Sequence, residues 1–115
     1  QDLVFLPGAL PGIAMALKAM LAPGDGVAVQ LPVYGPIHRA PGHLGLELIG
    51  SPLVVTPDGV GMGDYLEAIA KSRATILCNP QNPTGKAYTA DELRLIAGAC
   101  EDHDVLIVSD EVHAI

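Results

Sequence analysis

Aromatic residues are scarce in this chain: three Tyr, one Phe and no Trp, 3% of the sequence. Apolar residues still make up 50%, so the core has to be built from Ala, Val, Leu and Ile. Basic residues are also few. Six Lys and Arg stand against 13 Asp and Glu, a net charge of −7. A nucleic-acid binder neutralises phosphates with clustered cations, so the charge argues against that class. Long apolar runs are missing. The longest, such as Val105–Val108, are far too short to cross a bilayer, and no membrane partner is expected. No basic stretch backed by an apolar run opens the chain, so no signal peptide is expected. Two cysteines, Cys78 and Cys100, do not make a disulfide framework, and a reduced, cytoplasmic setting is the expectation.

What is present is a globular composition. The 115 residues carry only 17% charge, which excludes a disordered chain, and the length allows one small domain at most. Short, very apolar and aliphatic is the composition of buried parallel strands, which usually need a larger structure around them.

Strand-like and helix-like segments alternate along the chain. Leu3–Leu6 reads as a strand end. Gly12–Leu21 has Ile13, Ala16, Leu17, Met20 and Leu21 at helical spacing, and Pro23-Gly24-Asp25-Gly26 stops it. Val27–Leu31 reads as a strand ended by Pro32. Gly35–His43 is weakly helical and interrupted by Pro41. Leu46–Ile49 is a strand, with Leu53–Val55 as a short edge piece. Asp64–Lys71 is a short helix with Asp64 as its N-cap, and Thr75–Cys78 a strand ended by Asn79-Pro80. Thr89 opens a helix, and Glu92 three residues on completes the form of a capping box. Leu93, Ile96, Ala97 and Cys100 line that helix's apolar face. Val105–Val108 is an aliphatic strand, expected to be covered on both faces. The alternation predicts an α/β fold, three layers α/β/α around a mostly parallel sheet.

In such sheets ligands sit beyond the carboxyl ends of the strands, so the residues after each strand carry the functional reading. Pro7-Gly8-Ala9-Leu10-Pro11-Gly12 leads into a helix, whose free amides and dipole make an anion site. No Lys-Ser/Thr pair follows, so it is not a nucleotide P-loop, and alone it reads first as an ordinary turn. Tyr34, in Pro32-Val33-Tyr34, is placed either to stack on a flat ligand or to pack with its hydroxyl satisfied. Asn79-Pro80-Gln81-Asn82-Pro83-Thr84-Gly85 is the most specific string. Its two Asn-Pro pairs impose turn or extended geometry and leave the Asn82 amide for a ligand. In Ser109-Asp110-Glu111-Val112-His113, a carboxylate ending an aliphatic strand calls for a cationic partner. Strict alternation puts Asp110 and His113 on opposite faces, whereas a turn after Asp110 brings His113 round to the ligand. A metal site from Asp110, Glu111 and His113 competes, but it lacks a further His or Cys nearby, since His103 lies at the other end of the strand. No metal is expected.

Taken together and in order, these four strings resemble the fold-type I pyridoxal-phosphate enzymes, the class I/II aminotransferase superfamily. Cys78-Asn79-Pro80 and Asp110-Glu111-Val112-His113 resemble within it the MalY/PatB branch, the cystathionine β-lyase-like carbon–sulfur lyases; most aminotransferases have Tyr where His113 stands. The resemblance implies a pyridoxal 5'-phosphate cofactor and assigns roles by position. The backbone amides of Gly8, Ala9 and Leu10 hold the phosphate. Tyr34 stacks on the pyridine ring, Asn82 hydrogen-bonds its phenolic oxygen, and Asp110 pairs with the protonated ring nitrogen. His113 sits beside Asp110 or the phenolic oxygen. Physical chemistry agrees: an anion stabilises the pyridinium that makes the ring an electron sink.

The resemblance also implies what lies elsewhere. The family's Schiff-base lysine follows the Asp-Glu-x-His segment in a Ser-x-Lys string, beyond Ile115. None of Lys18, Lys71 and Lys86 matches that string, and each reads as a solvated surface charge. The chain therefore reads as part of a large cofactor-binding domain, residues 1–115, without the small carboxy-terminal domain that supplies a substrate-binding Arg. The implied activity of the whole protein is carbon–sulfur β-elimination on cystathionine or cysteine conjugates, in a homodimer. An aminotransferase and a non-catalytic, ligand-binding regulatory domain are the alternatives. Family members run an unbroken helix after Pro-x-Tyr, and His38–His43 is expected to break it here.

Overall fold

The computed structural model describes residues 2–114. The elements run α1 (Ala9–Met20), β1 (Gly26–Leu31), α2 (Gly35–His43), β2 (Glu47–Pro52), β3 (Val54–Thr56), β4 (Gly59–Gly61), α3 (Gly63–Ala70), β5 (Ala74–Cys78), α4 (Ala90–His103) and β6 (Leu106–Asp110). Four strands make one parallel sheet in the order β2-β1-β5-β6, and β3 and β4 form a separate antiparallel hairpin.

Strand side chains alternate between faces, and two aliphatic cores follow. Val27, Val29, Ala74, Ile76 and Cys78 pack with Ile13 and Leu17 of α1 and Ile37 of α2. Ala28 and Leu77 pack with Tyr65, Ala68 and Ile69 of α3 and Ile96 and Cys100 of α4. This is the α/β/α sandwich that the alternation predicts. The central strands β1 and β5 are buried at every position except the half-buried Leu31. The expected two-sided cover of Leu106–Val108 is corrected: β6 is an edge strand and Ile107 is 38% exposed.

Several boundaries move for identifiable reasons. Leu3–Leu6 forms no strand. It pairs with nothing among the described residues, and Leu3, Val4, Phe5 and Leu6 are all exposed. Helix α1 starts three residues before Gly12, because Pro11 lies in its first turn, where no amide is needed. Pro41 does not interrupt α2. It sits fully buried two residues before the helix ends; its missing amide leaves the Ile37 carbonyl without its i+4 donor, and the helix runs only two residues further. The break expected at His38–His43 is therefore absent. Asp64 lies inside the first turn of α3 rather than at its N-cap, which is Met62 without a side-chain hydrogen bond. From there Asp64 still opposes the positive end of the helix dipole. The Leu53–Val55 piece belongs to the β3–β4 hairpin. The capping box is present: Glu92 N donates to Thr89 Oγ1 at 3.2 Å and Thr89 N to Glu92 Oε2 at 2.7 Å.

The order of connections fixes where a ligand site can form. The β1–α2–β2 step moves outward across the sheet, the β2–α3–β5 step returns past β1, and β5–α4–β6 continues on the other side. The reversal falls between β1 and β5, and the crevice at their carboxyl ends opens there.

Candidate active site

A cleft of about 530 Å³ occupies this crevice. All seven residues singled out from the sequence line it: Gly8, Ala9, Leu10, Tyr34, Asn82, Asp110 and His113. They come from four separate stretches, and the sheet order brings them together. Pro11, Cys78 and Val112 complete the lining.

The amino end of α1 forms one wall. Gly12 N donates to Gly8 O at 3.2 Å, and no side chain caps the terminus. The first-turn amides of Ala9 and Leu10 therefore have no intrahelical partner, and Pro11 has none to offer. Gly8 holds φ at 156°, which favours glycine. Two free amides at the positive end of a 12-residue helix suit an anion, and none of the lining residues is Lys or Arg.

Tyr34 forms the opposite side. It is the residue preceding α2, 46% exposed, and its hydroxyl has no hydrogen bond among the described residues. The packed alternative for this side chain is thereby set aside, and the ring stands at the cleft with a face free. Its backbone is held firmly: Tyr34 N donates to Asn82 O at 2.9 Å. The loop carrying Asn82 is held by its neighbours. Asn79 N donates to Asp110 O at 3.0 Å, and Asn79 Oδ1 accepts from Tyr88 N at 3.1 Å.

Asp110 ends β6 beside Cys78 of β5, its register partner. Its Oδ1 accepts from Val112 N at 3.1 Å and caps a turn that carries His113 back to the cleft. The turn, not strict alternation, decides where His113 goes. Asp110 is half-buried and makes no ion pair among the described residues. Burial pushes the Cys78 thiol up; the Asn82 backbone N–H opposes this, and the Asp110 charge adds to it. The thiol stays protonated and does not compete as a nucleophile. Glu111 turns to its own Ser109 hydroxyl, 2.9 Å away, and no group of three metal-ligating side chains gathers among the described residues.

The lysines Lys18, Lys71 and Lys86 do not line the cleft. Lys86 is not a solvated charge as expected: its Nζ pairs with Glu92 Oε2 at 3.0 Å, with both side chains largely buried. Neither Cys78, which lines the cleft, nor Gln81, which lies in the Asn82 loop but not on the cleft, carries a role of its own in the sequence reading. Cys78 is legible afterwards from strand alternation, since it shares a register position with Asp110. Gln81 carries no such signal, because loop residues have no period.

The whole chain, residues 1–115, matches the family model for aminotransferase class I and II. The chain belongs to that family. It is 34% identical to the cystathionine β-lyase PatB of Bacillus subtilis over 99% of its own length and 30% of that protein's. It is 32% identical to kynurenine–oxoglutarate transaminase 3 of Mus musculus over 98% of its length and 27% of that protein's. The fold matches cystalysin from Treponema denticola, whose crystal structure contains pyridoxal 5'-phosphate, with a TM-score of 0.80 and 26% identity. That match covers 91% of this chain and 28% of cystalysin. The chain thus spans under a third of the length of these relatives. No helix among the described residues is long and apolar enough to cross a membrane.

Proposed function

We propose that this chain is the cofactor-binding part of a pyridoxal-phosphate enzyme, a carbon–sulfur β-lyase of amino-acid metabolism. The observation that carries the reading is the convergence of one carboxylate, one amide side chain, one free aromatic face and one uncapped helix start on a single cleft. Each matches a different part of pyridoxal phosphate. The amides of Ala9 and Leu10, with Gly8, would take the phosphate without a basic side chain. Tyr34 would cover the pyridine ring. Asn82 would donate to the phenolic oxygen as a neutral group. Asp110, lacking any cationic partner of its own, would hold a proton on the ring nitrogen. His113 lies on the cleft within reach of Asp110's turn and would orient it. Bound there, the cofactor supplies an electron sink for negative charge at the substrate α-carbon.

On this reading the Schiff-base lysine and the Arg for the substrate carboxylate would come from outside these residues, as the family resemblance implies. The lyase assignment rests on His113 and on likeness to cystathionine β-lyases such as PatB. Likeness to a transaminase supports amino transfer as the second reading. Purified full-length enzyme separates them. β-Elimination from cystathionine releases a thiol, pyruvate and ammonia without a keto acid. Keto-acid-dependent amino transfer with no thiol release would overturn the lyase assignment and leave the cofactor site standing. Bound cofactor with neither activity would favour a ligand-binding domain.

A further inference from the structure

The loop between β5 and α4 buries a polar side chain next to Asn82 to which the cofactor roles give no task. Gln81 is only 3% exposed, although its neighbours Asn82, Pro83, Thr84 and Gly85 are half-buried or exposed. A carboxamide is buried only where protein groups replace its water, and here they do. Gln81 Nε2 donates to Pro32 O. Gln81 Oε1 accepts from Thr84 N at 3.0 Å and from Thr84 Oγ1 at 2.6 Å. Its main chain is used as well, donating to Lys86 O at 2.8 Å and accepting from Gly85 N at 2.7 Å.

One of these side-chain bonds crosses a seam: Pro32 belongs to the turn after β1, and Gln81 and Thr84 both to the loop after β5. Tyr34 stands two residues beyond Pro32, and Asn82 directly follows Gln81. At the turn itself Tyr34 N–H also donates to Asn82 O, and further along the loop the Tyr88 hydroxyl donates to Gln30 of β1. Beside Tyr34 one hydrogen bond alone would act as a pivot, whereas the Gln81 bond two residues away fixes position and angle together. We infer that Gln81 is a positioning residue that locks the turn after β1 to the loop after β5, and so holds the Tyr34 ring and the Asn82 amide in register across the cleft. Its consequence for the cofactor rests on the pyridoxal-phosphate reading above, and the lock itself does not.

The test uses the full-length protein, apo and loaded with pyridoxal phosphate, with Q81E and Q81M beside the wild type. Q81E keeps an acceptor for Thr84 and, measured at a pH where the introduced carboxyl is ionised, sets a carboxylate oxygen against Pro32 O, so the cross-seam bond is replaced by repulsion while the Thr84 bonds remain. Q81M fills the space and loses every side-chain bond, keeping the main-chain ones. In the apo protein, amide hydrogen exchange at Tyr34 should quicken about tenfold in both variants relative to the buried amide of Val29. Thr84 N–H should stay protected in Q81E and loosen in Q81M. In the loaded protein, cofactor release should quicken about tenfold, and the pH dependence of its visible band should shift. Should Q81M fail to fold, Q81E carries the test. Unchanged Tyr34 exchange in folded Q81E overturns the lock. A loosened Tyr34 with unchanged cofactor release and band overturns the link to the cofactor. Wild type that takes up no pyridoxal phosphate, with Tyr34 still loosened in Q81E, supports the lock and overturns the cofactor reading instead.

Discussion

Tyr34 and Asn82 are joined through their backbones, N–H to carbonyl at 2.9 Å, while both side chains are left to the cleft. Structure and chemistry are therefore separable at Asn82. In the full-length enzyme, Asn82→Ala keeps the main-chain bond and removes only the side-chain amide. Its unfolding free energy should stay within about 0.5 kcal/mol of wild type, the range for changes away from core packing. The visible band of bound cofactor and the turnover rate should both change, because the donor to the phenolic oxygen is gone. Absorbance spectra and denaturant melts on one preparation check this. An unaltered band would remove Asn82 from that role.

Asp110 offers a cleaner separation still. Its Oδ1 accepts from Val112 N, a bond that an Asn side chain also makes. Asp110→Asn therefore keeps the turn that carries His113 and loses only the charge. An opposite charge at contact range is worth about 1–3 pKa units to the ring nitrogen. Turnover near pH 8 should accordingly fall by about tenfold to a thousandfold in Asp110→Asn and at least as far in Asp110→Ala. Asp110→Glu, which keeps the charge at the cost of reach, should lose least. Equal rates in Glu and Asn variants would show that charge is not what this residue supplies.

The sequence made these positions legible in part through one rule of topology: in an open parallel sheet, the residues after each strand meet at one end. Reading Pro32–Tyr34, Asn79–Gly85 and Ser109–His113 as strand ends marked one end of the sheet, and the family resemblance, not topology, singled out the seven residues that line the cleft there; Pro7–Gly12 follows no strand at all. The Thr89–Glu92 box was legible because its signal is local. Tertiary context decided the rest. Leu3–Leu6 has a strand's composition and no strand to pair with among the described residues. Gly59–Gly61 has too little β propensity to announce itself, and becomes a strand only opposite Val54–Thr56. Pro41 carries a breaker's signal, yet α2 passes through it and ends two residues later, with the Pro41 ring fully buried in the core. Gln81 was silent because its partners, Pro32 and Thr84, are set by the fold rather than by spacing.

The capping box predicts a stability effect far from the cleft. Thr89→Ala in the apo full-length protein should cost about 1 kcal/mol, read by denaturant melts. Glu92 adds a pH dependence. Burial raises its pKa, but the Thr89 amide and the Lys86 ammonium outweigh that and hold the carboxyl below its ordinary value of 4.5. A group whose folded pKa is lowered stabilises above its unfolded pKa and stops doing so as pH falls through the folded one. The stability gap between wild type and Glu92→Gln should therefore be full at pH 7 and close below about pH 4.5. A gap that stays constant from pH 7 to pH 3 would mean that the charge of Glu92 contributes nothing.

Tyr88 carries the opposite sign. Its hydroxyl donates to Gln30 Oε1, deep in the protein, where Gln30 Nε2 has no partner of its own. Burial pushes the phenol up to about 12, with Cys78 and Glu92 adding to the rise. Below pH 10 the phenol is protonated both folded and unfolded, so it adds no pH dependence. Between about 10 and 12 the unfolded chain gives up the proton and the folded one keeps it. The unfolded state then binds fewer protons, and stability falls as pH rises, by up to about 1.4 kcal/mol per unit. Tyr88→Phe removes that dependence. It also leaves Gln30 wholly unpaired, at a cost of about 1–3 kcal/mol. Wild type should thus be the more stable protein at pH 8, and its lead should shrink steadily above pH 10. Melts of both proteins across that range, with phenolate absorbance as a second readout, check the two halves together. A lead that persists undiminished to pH 12 would place the Tyr88 hydroxyl in contact with water rather than with Gln30.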